Sequence, residues 1–542
     1  MPLILSFVIG LFITIVMIPP LMRLSHRFGL VDVPDERKIH VQDIPRVGGI
    51  AIAVAIVLAI FTWFPVDRLI AGCLVGGAVI LMAGIWDDRR SLPYQWKLAA
   101  QCVAVAFAMA CGVTFEHLPF LGLEPAPVWL TYPVTFIFLV GVTNAINLFD
   151  GLDGLAGGCM LMTLGAIAFL DFQSGGSIVV FVALAAMGGI IGFLRYNTHP
   201  AIVFMGDSGS QLLGFVAAVL AIILVERTHG ALNPALPLLL LGLPIYDTLT
   251  VMVLRISNGQ SPFRPDQTHL HHKLLRFGFR HYEAVAIIYV VQAMMVGSAL
   301  LVGYASDLAV VATFLAISGG LTVLIYLARV RNWSPRPVDS DAESPRPERR
   351  NLWLRRWERL PSHVTMAIAV GLSGFLIVAA SIAAAPTHET SWICFAVAGV
   401  LIAGLLDVSD YRGSFARLGP YFAGVVLVFH LSGDPGYPEH VGILANAYVI
   451  ALLGFLVVGV RVTRRALFRV TPQDLLIAFF ALALPNLPIQ ALGNFDIGPA
   501  VFRALVLFYA IEFVLSRPDG RPRLLLVSSI ASLALFAGRG LV

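Results

Sequence analysis

Apolar runs close to the length needed to cross a bilayer recur along almost the whole chain, and no other feature limits its fold so tightly. They fall at about 3–21, 47–66, 68–86, 97–113, 129–148, 155–172, 176–194, 210–225, 234–254, 283–303 and 308–329. A spanning helix needs roughly 20 such residues. In a bilayer, every backbone polar group must find its partner within its own segment, which selects helices. The rest of the composition agrees: 58% of the 542 residues are hydrophobic and 13% are charged, against roughly 25% charged in soluble domains. Mean hydropathy is +0.86. Soluble, fibrous and disordered classes are excluded, and an all-α polytopic membrane protein is expected. The first run lacks a basic leader and a small-residue cleavage site, so it reads as a retained span.

Residues 333–352 break the pattern with Pro, Ser and mixed charge, the composition of a linker without a packed core. Beyond them lie six or seven further runs, near 363–384, 392–408, 419–432, 442–460, 475–486, 497–516 and 524–537. The expected organisation is a catalytic part at 1–332 with about eleven spans, a cytoplasmic linker at 333–352, and a C-terminal membrane domain of unknown role at 353–542. Alternate loops differ in charge. One set holds Arg23, Arg27, Arg37, Lys38, Arg46, Arg89, Arg90, Lys97, Arg195, Arg255, Arg264, Lys273, Arg276 and Arg280, while the other offers little beyond Arg68 and Arg227. Cytoplasmic loops carry the positive excess, so the first set is expected to face the cytoplasm. A net charge of +4 says little by itself about nucleic acid; with the charges placed in this way, a lipid bilayer and no nucleic acid are the expected partners. The five cysteines have neither paired nor metal-type spacing and read as small buried hydrophobes.

Polar groups in the first part concentrate in the loops expected on that face. Asp87 and Asp88 close the third span, and Lys97 opens the fourth. Adjacent carboxylates repel each other unless a cation or a proton relieves them; the alternative is a solvated helix end. Asn144, Asn147, Asp150 and Asp153 then recur every third residue, with glycines at 151, 154, 157 and 158. Such spacing predicts one helix face, and desolvated polar groups beside an apolar span should line a cavity. Phe204-Met-Gly-Asp207-Ser-Gly-Ser precedes another apolar run. Asp207 alone could be a helix cap; with the other acidic entrances it suggests a shared hard-cation site, since Mg2+ takes oxygen ligands.

The loop from Ser261 to Lys273 carries Arg264, His269, His271 and His272. It suggests an anion-binding patch, with a His-rich metal site or a plain surface loop as rivals. A further basic, glycine-bearing element holds Arg37, Lys38, His40, Arg46, Gly48 and Gly49. A secondary transporter also has many spans and intramembrane polar residues, but its site should lie near the bilayer midplane, whereas these groups lie at helix ends.

The segments RKIHVQDIPRVGG (37–49), DDRRSLPYQWKL (87–98), NAINLFDGLDGLAGG (144–158), FMGDSGS (204–210) and SPFRPDQTHLHH (261–272), in this order, resemble the polyprenyl-phosphate N-acetylhexosamine-1-phosphate transferase family. The resemblance covers about residues 1–330. Its last motif looks most like the branch that starts O-antigen, enterobacterial common antigen or teichoic-acid linkage units from UDP-GlcNAc. It looks less like the branch that transfers phospho-MurNAc-pentapeptide. The resemblance implies ten or eleven transmembrane helices and a cytoplasmic active site dependent on Mg2+, with Mn2+ as the alternative. It also implies a multi-pass place in the bacterial inner membrane.

The substrates it implies are a UDP-N-acetylhexosamine and undecaprenyl phosphate, and the products are undecaprenyl-diphosphate-sugar and UMP. A homodimer is one oligomeric option. Asp207 would be the main metal carboxylate and Asn147 a second ligand. Asp87 and Asp88 would lie at the catalytic end, Asp87 as the base and Asp88 as its rival. Lys97 would approach a diphosphate, Phe204 would stack on uracil, and Asp153 would meet its edge. His269, His271, His272 and Arg264 would cover the donor's phosphates and sugar. Asp150 is placed with the catalytic residues, and Lys38, Asn144, Gly48 and Gly49 with the substrate. Direct attack and a covalent phospho-aspartyl intermediate both remain open.

Overall fold

The computed structural model describes residues 2–33, 43–122, 125–176, 178–227, 231–261, 268–335, 360–406, 414–432, 439–463, 497–515 and 522–541. Helices stand at every apolar run among them. The first thirteen are α1 (Pro2–Phe28), α2 (Gly48–Trp63), α3 (Arg68–Arg89), α4 (Tyr94–Ala110), α5 (Val128–Phe149), α6 (Leu155–Gln173), α7 (Ile178–Asn197), α8 (Gly206–Arg227), α9 (Pro237–Leu240), α10 (Gly242–Ser257), α11 (Leu270–Arg276), α12 (His281–Val302) and α13 (Asp307–Val330). Six more follow: α14 (Leu360–Ile382), α15 (His388–Leu406), α16 (Ser414–Ser432), α17 (Glu439–Thr463), α18 (Ile497–Leu515) and α19 (Pro522–Arg539). Ten of these helices are long and apolar enough to cross a membrane. The chain is an all-α polytopic membrane protein, and the run expected at 475–486 lies outside the described residues.

Several expectations need adjustment. The run at 234–254 is not one helix but two, α9 and α10, parted at Leu241 just before Pro244. Proline lacks an N–H and clashes with the preceding turn, so a helix restarts more readily than it runs through. The histidine-bearing loop contains the short helix α11. A two-stranded antiparallel ribbon, β1 (Val31–Asp32) with β2 (Ile44–Pro45), follows α1.

The described helices divide into two compact units, one with α1–α13 and the other with α14–α19. In the first, α8 is central: 94% of its most apolar stretch is buried, against 17% for α13 at the rim. Lipid offers little hydrophobic drive between helices, so close backbone approach and van der Waals contact must hold them. The α1–α7 crossing shows this: a methyl at Gly10 would stand 2.2 Å from the Ala185 carbonyl oxygen, and one at Gly188 would stand 2.0 Å from that of Phe7. In the second unit, the buried Arg503 of α18 donates to Asn446, Ser432 and the Gly442 carbonyl. These oxygens replace the water its guanidinium gives up.

Candidate active site

The C-terminus of α3 meets the N-terminus of α8, and this junction organises the site. Asp88 is buried, and its two oxygens accept the backbone N–H groups of Asp207 (2.8 Å) and Ser208 (3.1 Å). The first N–H groups of a helix have no partner within it, and a carboxylate there also meets the positive end of the helix dipole. Asp88 thus caps α8 from a different helix. The cap needs Gly206: its φ is +74°, a conformation that side chains resist, and a Cβ would stand 2.5 Å from Asp88 Oδ2.

Asp87 accepts the Leu92 N–H through Oδ1 at 2.5 Å. Lys97, near the start of α4, places its Nζ 2.5 Å from Asp87 Oδ2 and 2.8 Å from Asp207 Oδ2. A single ammonium therefore bridges two carboxylates from different helices. Arg46 binds Asp32 at 2.5 Å and lies 4.0 Å from Asp88. It is brought there by backbone pairing: Phe204 N–H donates to the Pro45 carbonyl, while Gly48 and Gly49 N–H donate to those of Phe204 and Met205. Gly48 and Gly49 are buried in this seam, where a Cβ would meet the Phe193 ring at 2.4 Å and Gly209 Cα at 2.2 Å.

Behind the carboxylates runs a chain of amides, of which Gln101 and Gln211 were absent from the sequence-based reading. Gln101 exchanges hydrogen bonds with Asn144 and donates to Gln211, whose amide lies 3.5 Å from Asp207 Oδ2. Asn147 Oδ1 accepts the Ser210 hydroxyl at 2.6 Å. The clue was available: Gln101 lies four residues after Lys97, and Gln211 four after Asp207, one helical turn deeper into apolar segments.

Asn144 and Asn147 share α5, but the expected helical row stops there. The helix ends at Phe149, and Asp150 and Asp153 occupy the turn before α6. Gly154 opens α6 with φ +78°; Asn197 accepts its N–H and Tyr289 donates to its carbonyl. Asp153 turns away from the α5 row. Its Oδ2 lies 2.7 Å from His199 Nδ1 and accepts the Ala201 N–H at 3.1 Å. Its own N–H donates to His281 Nε2 at 3.2 Å. Burial opposes its charge, but the His199 contact and the Ala201 N–H outweigh it, so the carboxyl lies below its ordinary range.

Asp153, His199 and His281 could offer three metal ligands within 4.8 Å of one another. However, the two imidazoles are stacked, 4.1 Å apart and inclined by 18°. Ring lone pairs lie in the ring planes, so this arrangement suits a stacked pair bound to a carboxylate better than convergence on one ion. Neither histidine was singled out from the sequence. Phe204 is half-buried on the strand-like segment between this pair and Asp207.

The carboxyl of Asp150 is pushed up to about 7, by burial first and then by the charges of Asp207, Asp153 and Asp88. His271 packs on Gly151, next to Asp150. Burial, then the neighbouring His272, pushes His271 down to about 3, so it is neutral near pH 7 and has one N–H to give. Its Nδ1 is buried without a hydrogen-bond partner among the described residues. His269 binds Asp247, and His272 lies 4.2 Å from His271, ring to ring. The three histidines are thus not equivalent donors. Lys38 and Arg264 lie outside the described residues.

Acidic, cationic and amide groups gathered at helix ends in a polytopic bundle define an enzyme-like polar centre at the edge of an apolar body. The family model described as Glycosyl transferase family 4 matches residues 70–225. "Probable undecaprenyl-phosphate N-acetylglucosaminyl 1-phosphate transferase" of Bacillus subtilis (strain 168) is 34% identical over 289 residues, 53% of this chain and 81% of the relative. "Decaprenyl-phosphate N-acetylglucosaminephosphotransferase" of Mycobacterium tuberculosis (strain ATCC 25618 / H37Rv) is 32% identical, covering 57% of this chain and 85% of the relative. "Undecaprenyl-phosphate alpha-N-acetylglucosaminyl 1-phosphate transferase" of Escherichia coli (strain K12) is 30% identical, covering 52% and 79%. The chain belongs to glycosyl transferase family 4.

Proposed function

We propose that this protein transfers N-acetylhexosamine-1-phosphate, with GlcNAc-1-phosphate as the first candidate, from its UDP-sugar to undecaprenyl phosphate. The products are undecaprenyl-diphosphate-sugar and UMP, and the reaction is the first membrane step of a cell-envelope polysaccharide. The site is assigned to the cytoplasmic face of the bacterial inner membrane, in keeping with the charge of the loops. The observation that carries this reading is Lys97 held between Asp87 and Asp207, with Asp88 fixing the helix that bears Asp207. The names of the relatives supply the reaction class.

An oxygen of the lipid phosphate attacks the β-phosphorus of the donor. The bond from that phosphorus to the bridging oxygen breaks, and UMP leaves with its electron pair. Two anions must approach each other, so fixed positive charge matters more here than covalent help. Lys97 and Arg46 supply it from the protein. Asp88 has both oxygens committed to the backbone of α8, whereas Asp87 gives one oxygen to the Leu92 N–H and turns the other to the Lys97 side chain, so Asp87 is the assigned acceptor of the nucleophile's last proton. Asp153 and Phe204 are assigned to the uracil, and His269, His271 and His272 to the donor's phosphates and sugar.

The donor set suits Mg2+, with Mn2+ as the alternative. It consists of oxygens, and negative charge is in excess, as the raised Asp150 records. Asp207 would hold the ion, with Asn147 as second ligand once released from Ser210. Bound there, the ion would offset charge on the diphosphate. The test is UMP release by detergent-purified protein given UDP-GlcNAc, with the lipid product weighed by mass spectrometry. Release should require both polyprenyl phosphate and a divalent cation. Turnover indifferent to the lipid would defeat the reading.

A further inference from the structure

We propose that Asp247 is a positioning residue for the histidine segment: it holds His269 with the proton on Nδ1 and sets the register at which α11 delivers His271 to the catalytic cluster. This rests on the transferase reading above. Asp247 lies within α10 and is 2% exposed. A carboxylate buried among apolar helices is costly unless both oxygens find donors. Here they do, and both donors come from the start of the histidine segment. Oδ2 lies 2.9 Å from His269 Nδ1, and Oδ1 accepts the Leu270 N–H at 2.7 Å.

The two bonds have different consequences. The Leu270 N–H bond fixes where α11 begins, because one oxygen is pinned to one backbone position. The His269 bond fixes a tautomer, because an ionised carboxylate only accepts. Nδ1 must therefore carry hydrogen, and Nε2 is the nitrogen left for other partners. From His269 the constraint passes along a short path. The His269 and His271 rings are nearly parallel, 6.0 Å apart. His271 in turn lies against Gly151 with no space for a Cβ between them. A shift at His269 would therefore move the imidazole that touches the Asp150 turn. A simple anchor would need only the backbone bond; the second bond gives Asp247 control of which nitrogen can act.

The experiment uses the full-length protein and two independent readouts. In Asp247→Asn, the amide oxygen can still accept the Leu270 N–H, but the amide N–H2 now faces His269 Nδ1 and reverses its tautomer. We expect kcat to fall by about 10–100-fold, the size usual for groups that orient an active histidine, with KM for UDP-GlcNAc within about threefold of wild type on the same principle. In a His269→Ala background, the substitution should change kcat by less than about twofold, because residues acting as a unit are not additive. Nitrogen-15 spectra of histidine-labelled wild-type protein should show His269 protonated at Nδ1, switching to Nε2 in Asp247→Asn. Equal fold-losses in the two backgrounds would overturn the proposal. So would wild-type spectra with Nδ1 unprotonated, a result accessible even if Asp247→Asn fails to fold. Wild-type protein without UMP release, but with the expected spectra, would overturn the transferase reading and leave the His269 geometry standing.

Discussion

His271 lies against the backbone of Gly151 so closely that a Cβ at position 151 would stand 2.2 Å from its Nε2 and 2.4 Å from its Cε1. The glycine-rich turn and the histidine segment, some 120 residues apart in sequence, therefore form one surface. Gly151→Ala should displace His271 and lower kcat at least tenfold, since misplacement by ~1 Å can cost about 10²-fold. Gly151 itself is exposed, so the protein should still fold. Steady-state UMP release and a melting curve check this. Wild-type kcat in a folded variant would show that His271 can move aside without consequence.

Asp207→Ala should remove turnover, by a factor of about 10² or more, while insertion and folding persist. Asp207 is the least buried of the three clustered carboxylates, and the α8 cap uses its backbone N–H, which alanine retains. A magnesium titration separates lost affinity from lost chemistry. Activity close to wild type at every magnesium level would end the assignment.

Asp150 gives a pH dependence whose sign is fixed. Its ordinary value is 3.8 and its folded value about 7. Between these limits the unfolded chain sheds a proton that the folded chain keeps, so the stability contribution is full below the lower value and is lost as pH rises through the upper one. Asp150→Asn removes this slope. Melting temperatures in detergent without divalent cation should show the variant gaining more over wild type at pH 8 than at pH 5. An equal difference at both would mean that Asp150 does not titrate in this window.

A chain ending at residue 332 should insert and retain transfer chemistry. We place the boundary of the catalytic part there because the site residues described above all belong to helices before α13 and the turns between them. UMP release per folded molecule, compared with the full chain, decides. A well-folded, inactive truncation would assign α14–α19 a part in building the site.

The spans were legible because apolar length is a strong signal, and the motif residues around 87–97 and 204–210 do meet in space. The partition of roles was not legible. Asp87 and Asp88 are adjacent in sequence, yet one faces Lys97 and the other caps α8; nothing in an Asp-Asp pair says which. The 144–153 row failed as a helical face because α5 ends at Phe149 and α6 starts only after Gly154, and spacing alone does not reveal where a helix stops. His199, His281 and Asp247 stood outside the dense motifs. Their importance arises from pairing across 46, 128 and 22 residues of sequence, which a local pattern does not contain.

Asp88 leaves the ribosome long before its partners: the N–H groups it caps belong to residues 119 and 120 positions later. During synthesis, α3 must therefore enter the bilayer before the backbone donors that Asp88 caps have been made. Until α8 arrives, the oxygens of Asp88 must find other donors, water and lipid headgroups among them. The order of translation thus leaves the Asp88 carboxylate without its α8 donors until the chain has passed residue 208. A slow or failed insertion of α8 would leave a nascent chain marked by exposed acid at the membrane surface, a local signature by which quality control could recognise an unfinished molecule.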